Sequence, residues 1–93
     1  VGHDMTAAAS MGQLRSLLRG IGVATGAGPA DLLREVDRAM RTLQTPTVAT
    51  ALVARIEQTV EERVSGTSRI RWSSAGHLPP LLLAPDGTVS ALD

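Results

Sequence analysis

Hydrophobic residues recur every three to four positions in the first half of this chain and every second position in the second half. Ala8, Met11, Leu14, Leu17, Leu18 and Ile21 form one apolar stripe, with Gln13, Arg15, Ser16 and Arg19 largely on the other side. This spacing predicts a helix from Met5 to about Val23. Asp4 is its expected N-cap, because a carboxylate there accepts from the free amides of the first turn and meets the positive end of the helix dipole. Ala7, Ala8, Ala9 and Gly12 are small enough to let another element approach closely. Gly20, Gly22 and Gly26 predict a loose exit. A loop from Gly22 to Gly28 leads to Pro29, placed as the first residue of a second helix over about 29–43. Leu32, Leu33, Val36, Met40 and Leu43 are its stripe. Asp31 in its first turn and Arg41 in its last both suit the dipole, and Asp37 with Arg41 makes an i,i+4 pair.

The period changes after Gln44-Thr45-Pro46. From Val48 to Glu57, Val48, Thr50, Leu52, Ala54 and Ile56 share one face, and Ala49, Ala51 and Val53 the other. Both faces are largely apolar in the middle, which predicts a strand covered on both sides. Gln58 to Ser68 is polar and is expected to be a long hairpin loop. Arg69 to Ala75 alternates again, with Ile70, Trp72 and Ser74 opposite Arg71 and Ser73. Gly76 suits a corner that needs positive φ. Pro79 and Pro80 donate no backbone hydrogen bond and belong at a strand entry or edge. Leu81 to Leu83 is an apolar run, Pro85-Asp86-Gly87 a turn, and Thr88 to Leu92 a weak closing alternation.

The strands are therefore expected at about 48–57, 69–75, 80–84 and 88–92. Helices followed by antiparallel strands mean an α+β fold, with a two-helix hairpin packed on one face of a sheet.

Composition narrows the classes. Ninety-three residues suffice for one small domain, residues 1–93. A chain of this size buries about 60–65% of its unfolded surface and is marginally stable alone. Trp72 is the one aromatic residue, so the core must come from Leu, Val, Ile, Met and Ala. Net charge is zero and every basic residue is Arg, which argues against nucleic-acid binding. With no Cys, disulfides, cysteine nucleophiles and thiolate metal sites are excluded. No apolar run reaches membrane-spanning length and the start does not read as a signal peptide, so a soluble, cytoplasmic protein is expected. Val-Gly-His is an unusual opening for a domain and suggests a cut through a longer protein.

Read from residues alone, the chemistry is sparse. His3 and His77 are the two histidines, and no spacing makes them metal ligands with Asp4. No serine lies in a nucleophile elbow, and Gly20 to Gly28 lacks the lysine and preceding strand of a phosphate loop. Met11 and Met40 fall on core stripes.

The run Ser74-Ala75-Gly76-His77-Leu78-Pro79-Pro80 resembles the alanine-glycine-histidine-x-proline-proline corner of the metal-dependent (PPM-type) serine/threonine protein phosphatases, in the bacterial branch typified by SpoIIE and RsbU. Val1-Gly2-His3-Asp4-Met5-Thr6-Ala7-Ala8 looks like the tail of that branch's glycine-aspartate-x-x-glycine-histidine-glycine pattern, with Asp4 where a glycine is common. Gly28-Pro29-Ala30, Ala49 to Arg55 and Pro85-Asp86-Gly87 follow in the family's order.

The resemblance implies part of an αββα sandwich that hydrolyses phosphoserine or phosphothreonine esters with two Mn²⁺ or Mg²⁺ ions. Such a pair activates water and neutralises phosphoryl oxygens. The usual substrate is a phosphorylated anti-anti-sigma protein. The family's metal aspartates fall before Val1 and beyond Asp93, so no metal ligand is assigned within the chain, and an isolated chain is expected to bind no metal and to be inactive. His3 is the candidate to position water or the leaving oxygen. Gly2, Asp4, Gly76 and His77 are expected to be structural and near the site. The alternative is a non-catalytic interaction module using the helix pair, with homodimerisation through the helices or exposed strand edges.

Overall fold

The computed structural model describes residues 5–44 and 48–92. The elements in chain order are α1 (Met5–Thr25), α2 (Pro29–Thr42), β1 (Ala51–Glu57), α3 (Val60–Ser65), β2 (Arg69–Ala75), β3 (Leu81–Leu83) and β4 (Val89–Ala91). The fold is α+β: helices first, then small antiparallel sheets. The strands form two separate ladders, β1 with β2 and β3 with β4.

α1 runs two residues beyond its predicted end. Its glycines do not break it, because the exit is tied down rather than loose. The Gly26 amide donates to Gly22 O at 3.0 Å, and Thr25 Oγ1 donates to Ile21 O at 2.8 Å while accepting from the Ala27 amide. Gly26 itself takes φ +62°, the left-handed conformation that ends a helix cheaply only at glycine. α2 starts on Pro29 as its sequence predicts and ends one residue early, with Leu43 as its C-cap. Its exposed face carries Asp31–Arg34, Glu35–Arg38 and Asp37–Arg41 pairs. Such surface pairs each contribute about 0.3–0.5 kcal/mol.

β1 and β2 pair from Ala51↔Ala75 to Glu57↔Arg69. The expected strand start at Val48 is corrected to Ala51. Beyond Ala75 the partner strand turns away at Gly76, leaving one isolated bridge between Ala51 and Gly76. Residues 48–50 therefore have no ladder to join.

The predicted long loop between these strands is also corrected, since it contains α3. Thr59 and Glu62 form a reciprocal capping box: the Glu62 amide donates to Thr59 Oγ1 at 3.0 Å, and the Thr59 amide donates to Glu62 Oε1 at 3.1 Å. Gly66, at φ +77°, closes the C-terminus.

α2 lies on one face of the β1–β2 ladder. Leu33, Val36 and Met40 line a cleft there with Ala49, Ala51 and Ala75, and Leu14 of α1 lines it too. Leu32 and Val36 are the buried aliphatic core, and α1 contributes no buried residue. The opposite face holds Leu52, Ala54, Ile56, Ile70, Trp72 and Ser74, and no other element packs on it: Leu52 and Trp72 are half-buried, and the rest are exposed, Ile56 to 74%. The expectation of a strand covered on both sides fails for this reason.

β3 and β4 pair through Leu81↔Ala91, Leu82↔Ser90 and Leu83↔Val89, each strand one residue shorter at either end than predicted. The Leu92 amide extends the contact to Pro80 O at 2.9 Å. Asp86 and Gly87 make the turn, with Gly87 at φ +90°.

The accessible surface is 7081 Å². A compact monomer of 9.7 kDa exposes about 5,100 Å². The radius of gyration, 15.9 Å, likewise exceeds the roughly 12 Å of a compact chain of this length.

Candidate functional site

The corner after β2 gathers the polar groups that the sequence singles out. Alternation along β2 puts Ser74 on the face away from α2, next to the point where the chain must turn. Its hydroxyl does two jobs: it accepts from the His77 amide at 3.1 Å and donates to His77 O at 2.9 Å. The turn between them needs Gly76, whose φ of +70° costs an ordinary L-residue strain. A Cβ there would meet Thr50 Cγ2 at 3.5 Å, an ordinary contact, so conformation rather than space demands the glycine.

His77 then reaches across to the segment leading into β1. Its Nδ1 lies 3.1 Å from Thr50 Oγ1, an imidazole–hydroxyl hydrogen bond between residues 27 positions apart. The corner is thus tied to both strands of the ladder: to β2 through Ser74 and to the entry of β1 through Thr50. Both His77 and Thr50 are exposed.

A second cluster sits on the α2 side. Arg55 and Arg71 are register partners, two like charges directly opposite each other. Each is occupied elsewhere. Arg55 Nη2 donates to the carbonyl oxygens of Gly26 and Ala27, and Arg71 Nη1 pairs with Glu57 Oε1 at 3.2 Å. The Arg71 guanidinium also covers Gly28, the N-cap of α2, at 3.1 Å from where a Cβ would stand.

Two carboxyls are held below their usual range. For Glu62 the leading cause is the Arg69 guanidinium, which donates to Oε1 at 2.8 Å, followed by the Thr59 amide. The same pairing raises the Arg69 guanidinium. For Asp86 the cause is the Thr88 amide and then its hydroxyl, both bonded to Oδ1. Both carboxyls are engaged in local structure, Glu62 at a cap and Asp86 in a turn.

Of the residues expected at or near a catalytic centre, Gly76 and His77 are brought together with Thr50 and Ser74. Gly2, His3 and Asp4 lie outside the described residues. Among the described residues no three His, Asp or Glu side chains converge on a point that would hold a metal ion. They therefore do not fit a two-cation centre by themselves.

Sequence reasoning missed the roles of Thr50 and Arg55, whose partners are remote in sequence. It also missed α3, although Thr59-x-x-Glu62 is a readable capping signal.

The stage II sporulation protein E (SpoIIE) family matches residues 1–93. The chain belongs to this family. SpoIIE membership agrees with the resemblance carried by the Ser74–Pro80 corner and ties the chain to phosphatase domains. The α+β arrangement fits a fragment of a phosphatase sandwich. No solved structure matches the chain. Among the described residues, no helix is long and apolar enough to cross a membrane.

Proposed function

We propose that this chain is a segment of a PPM-type, RsbU-like protein serine/threonine phosphatase that dephosphorylates a regulatory phosphoprotein of the anti-anti-sigma kind. The observation that carries the reading is the ordered run Ser74-Ala75-Gly76-His77-Leu78-Pro79-Pro80 within a SpoIIE match that spans residues 1–93. Mn²⁺ or Mg²⁺ in the complete domain would supply the activated water.

The described residues serve as scaffold in this reading. α2 buttresses one face of the β1–β2 ladder, and His77 with Thr50 and Ser74 sets the corner that leads to β3. The surplus surface and the uncharged face around Trp72 suit a piece of a larger layered domain.

The test compares the 93-residue chain with the intact protein that contains it, using p-nitrophenyl phosphate and a phosphorylated partner in Mn²⁺. The intact protein is expected to turn over both, with activity lost to chelator, and the chain alone neither. Chelator-sensitive turnover by the chain alone would overturn the scaffold assignment. An intact protein inert in Mn²⁺ and Mg²⁺ would overturn the phosphatase assignment.

The open face of β1–β2 favours one second reading, a non-catalytic module that associates with a partner or with its own copy through exposed apolar surface. Light scattering separates it: concentration-dependent growth in mass supports association, and a monomer throughout removes it.

A further inference from the structure

We draw no further inference here: the strongest candidate, the uncharged sheet face of Leu52, Ala54, Ile56, Ile70 and Trp72 on the side of the β1–β2 ladder away from α2, is apolar and exposed at Ala54, Ile56 and Ile70, but nothing in the structure shows what covers it.

Discussion

The Arg55 guanidinium donates to the carbonyl oxygen of Gly26, 3.0 Å away and 29 residues earlier in the chain. A strand side chain thereby closes the end of a helix and fixes the turn into the next one. The same nitrogen also donates to Ala27 O. These bonds let Arg55 sit opposite Arg71 without two free charges facing each other, because Arg71 is neutralised by Glu57.

Arg55→Ala removes both bonds and leaves two carbonyls of the α1–α2 turn without this donor. Bonds to charged groups contribute about 1.5–3 kcal/mol each, and solvent exposure brings the expected loss for the pair below that sum, to about 2 kcal/mol in total. Arg55→Lys should recover part of it, since an ammonium reaches one carbonyl more readily than two. Urea unfolding followed by the fluorescence of Trp72, the one tryptophan, measures both. Equal midpoints for the three proteins would rule out a role for this contact in stability.

Gly76 and Gly28 should respond oppositely to substitution. Gly76→Ala forces an L-residue to φ +70° and is expected to cost about 1–2 kcal/mol, with Gly76→Asn intermediate. Gly28 has φ −67° and ψ 169°, the geometry of an N-cap, and makes no side-chain cap bond. Gly28→Asp supplies that acceptor beside the Arg71 guanidinium, whose flexible end can shift to make room. A gain of about 0.5 kcal/mol is expected from the cap. A loss at Gly28 as large as that at Gly76 would show that Arg71 cannot yield.

Glu62 links α3 to β2 and makes that link sensitive to acid. Its folded carboxyl titrates below the ordinary glutamate range, chiefly because Arg69 donates to it. Across that interval the unfolded chain holds more protons than the folded one. The stabilisation is therefore full above the ordinary glutamate range and fades as pH falls through the lower folded value. Glu62→Gln keeps an acceptor for the Thr59 amide but loses the charge, so it should flatten this acid dependence. Thr59→Ala should cost about 1 kcal/mol by removing the cap and leave most of the acid dependence in place, since Arg69 and the Thr59 amide are the larger causes of the Glu62 shift. Unfolding midpoints from pH 3 to pH 7 distinguish the two, and parallel pH profiles for wild type and Glu62→Gln would contradict the acid sensitivity assigned to Glu62.

The small aliphatic core makes single deletions severe. Val36, 3% exposed, is the most buried core side chain described, and Leu32 follows at 9%. Val36→Ala is expected to cost about 2 kcal/mol and Leu32→Ala about 3 kcal/mol. Leu17→Ala in half-buried α1 should cost less than half the Leu32 value. Far-ultraviolet circular dichroism during thermal unfolding reads this order, and a Leu17 effect equal to that of Leu32 would place α1 in the core.

Local chemistry determined the helices, the turns and the alternation of β1 and β2. The stripe of Leu32 and Val36, Pro29 at a helix start, and glycine at the Gly76 corner act over a few residues, so one stretch of sequence holds each signal whole. The resemblance at Ser74 to Pro80 is local in the same way. Tertiary structure alone decided that Arg55 holds the α1–α2 turn and that His77 bonds Thr50. It also decided that β1 begins at Ala51 and that the strands split into two ladders. Those outcomes depend on which segments meet in space, and a hydrogen bond between residues 27 or 29 positions apart leaves no periodic mark on the chain. The sequence of β1 predicts two largely apolar faces, but only packing shows that α2 covers one of them and leaves the other without a covering element.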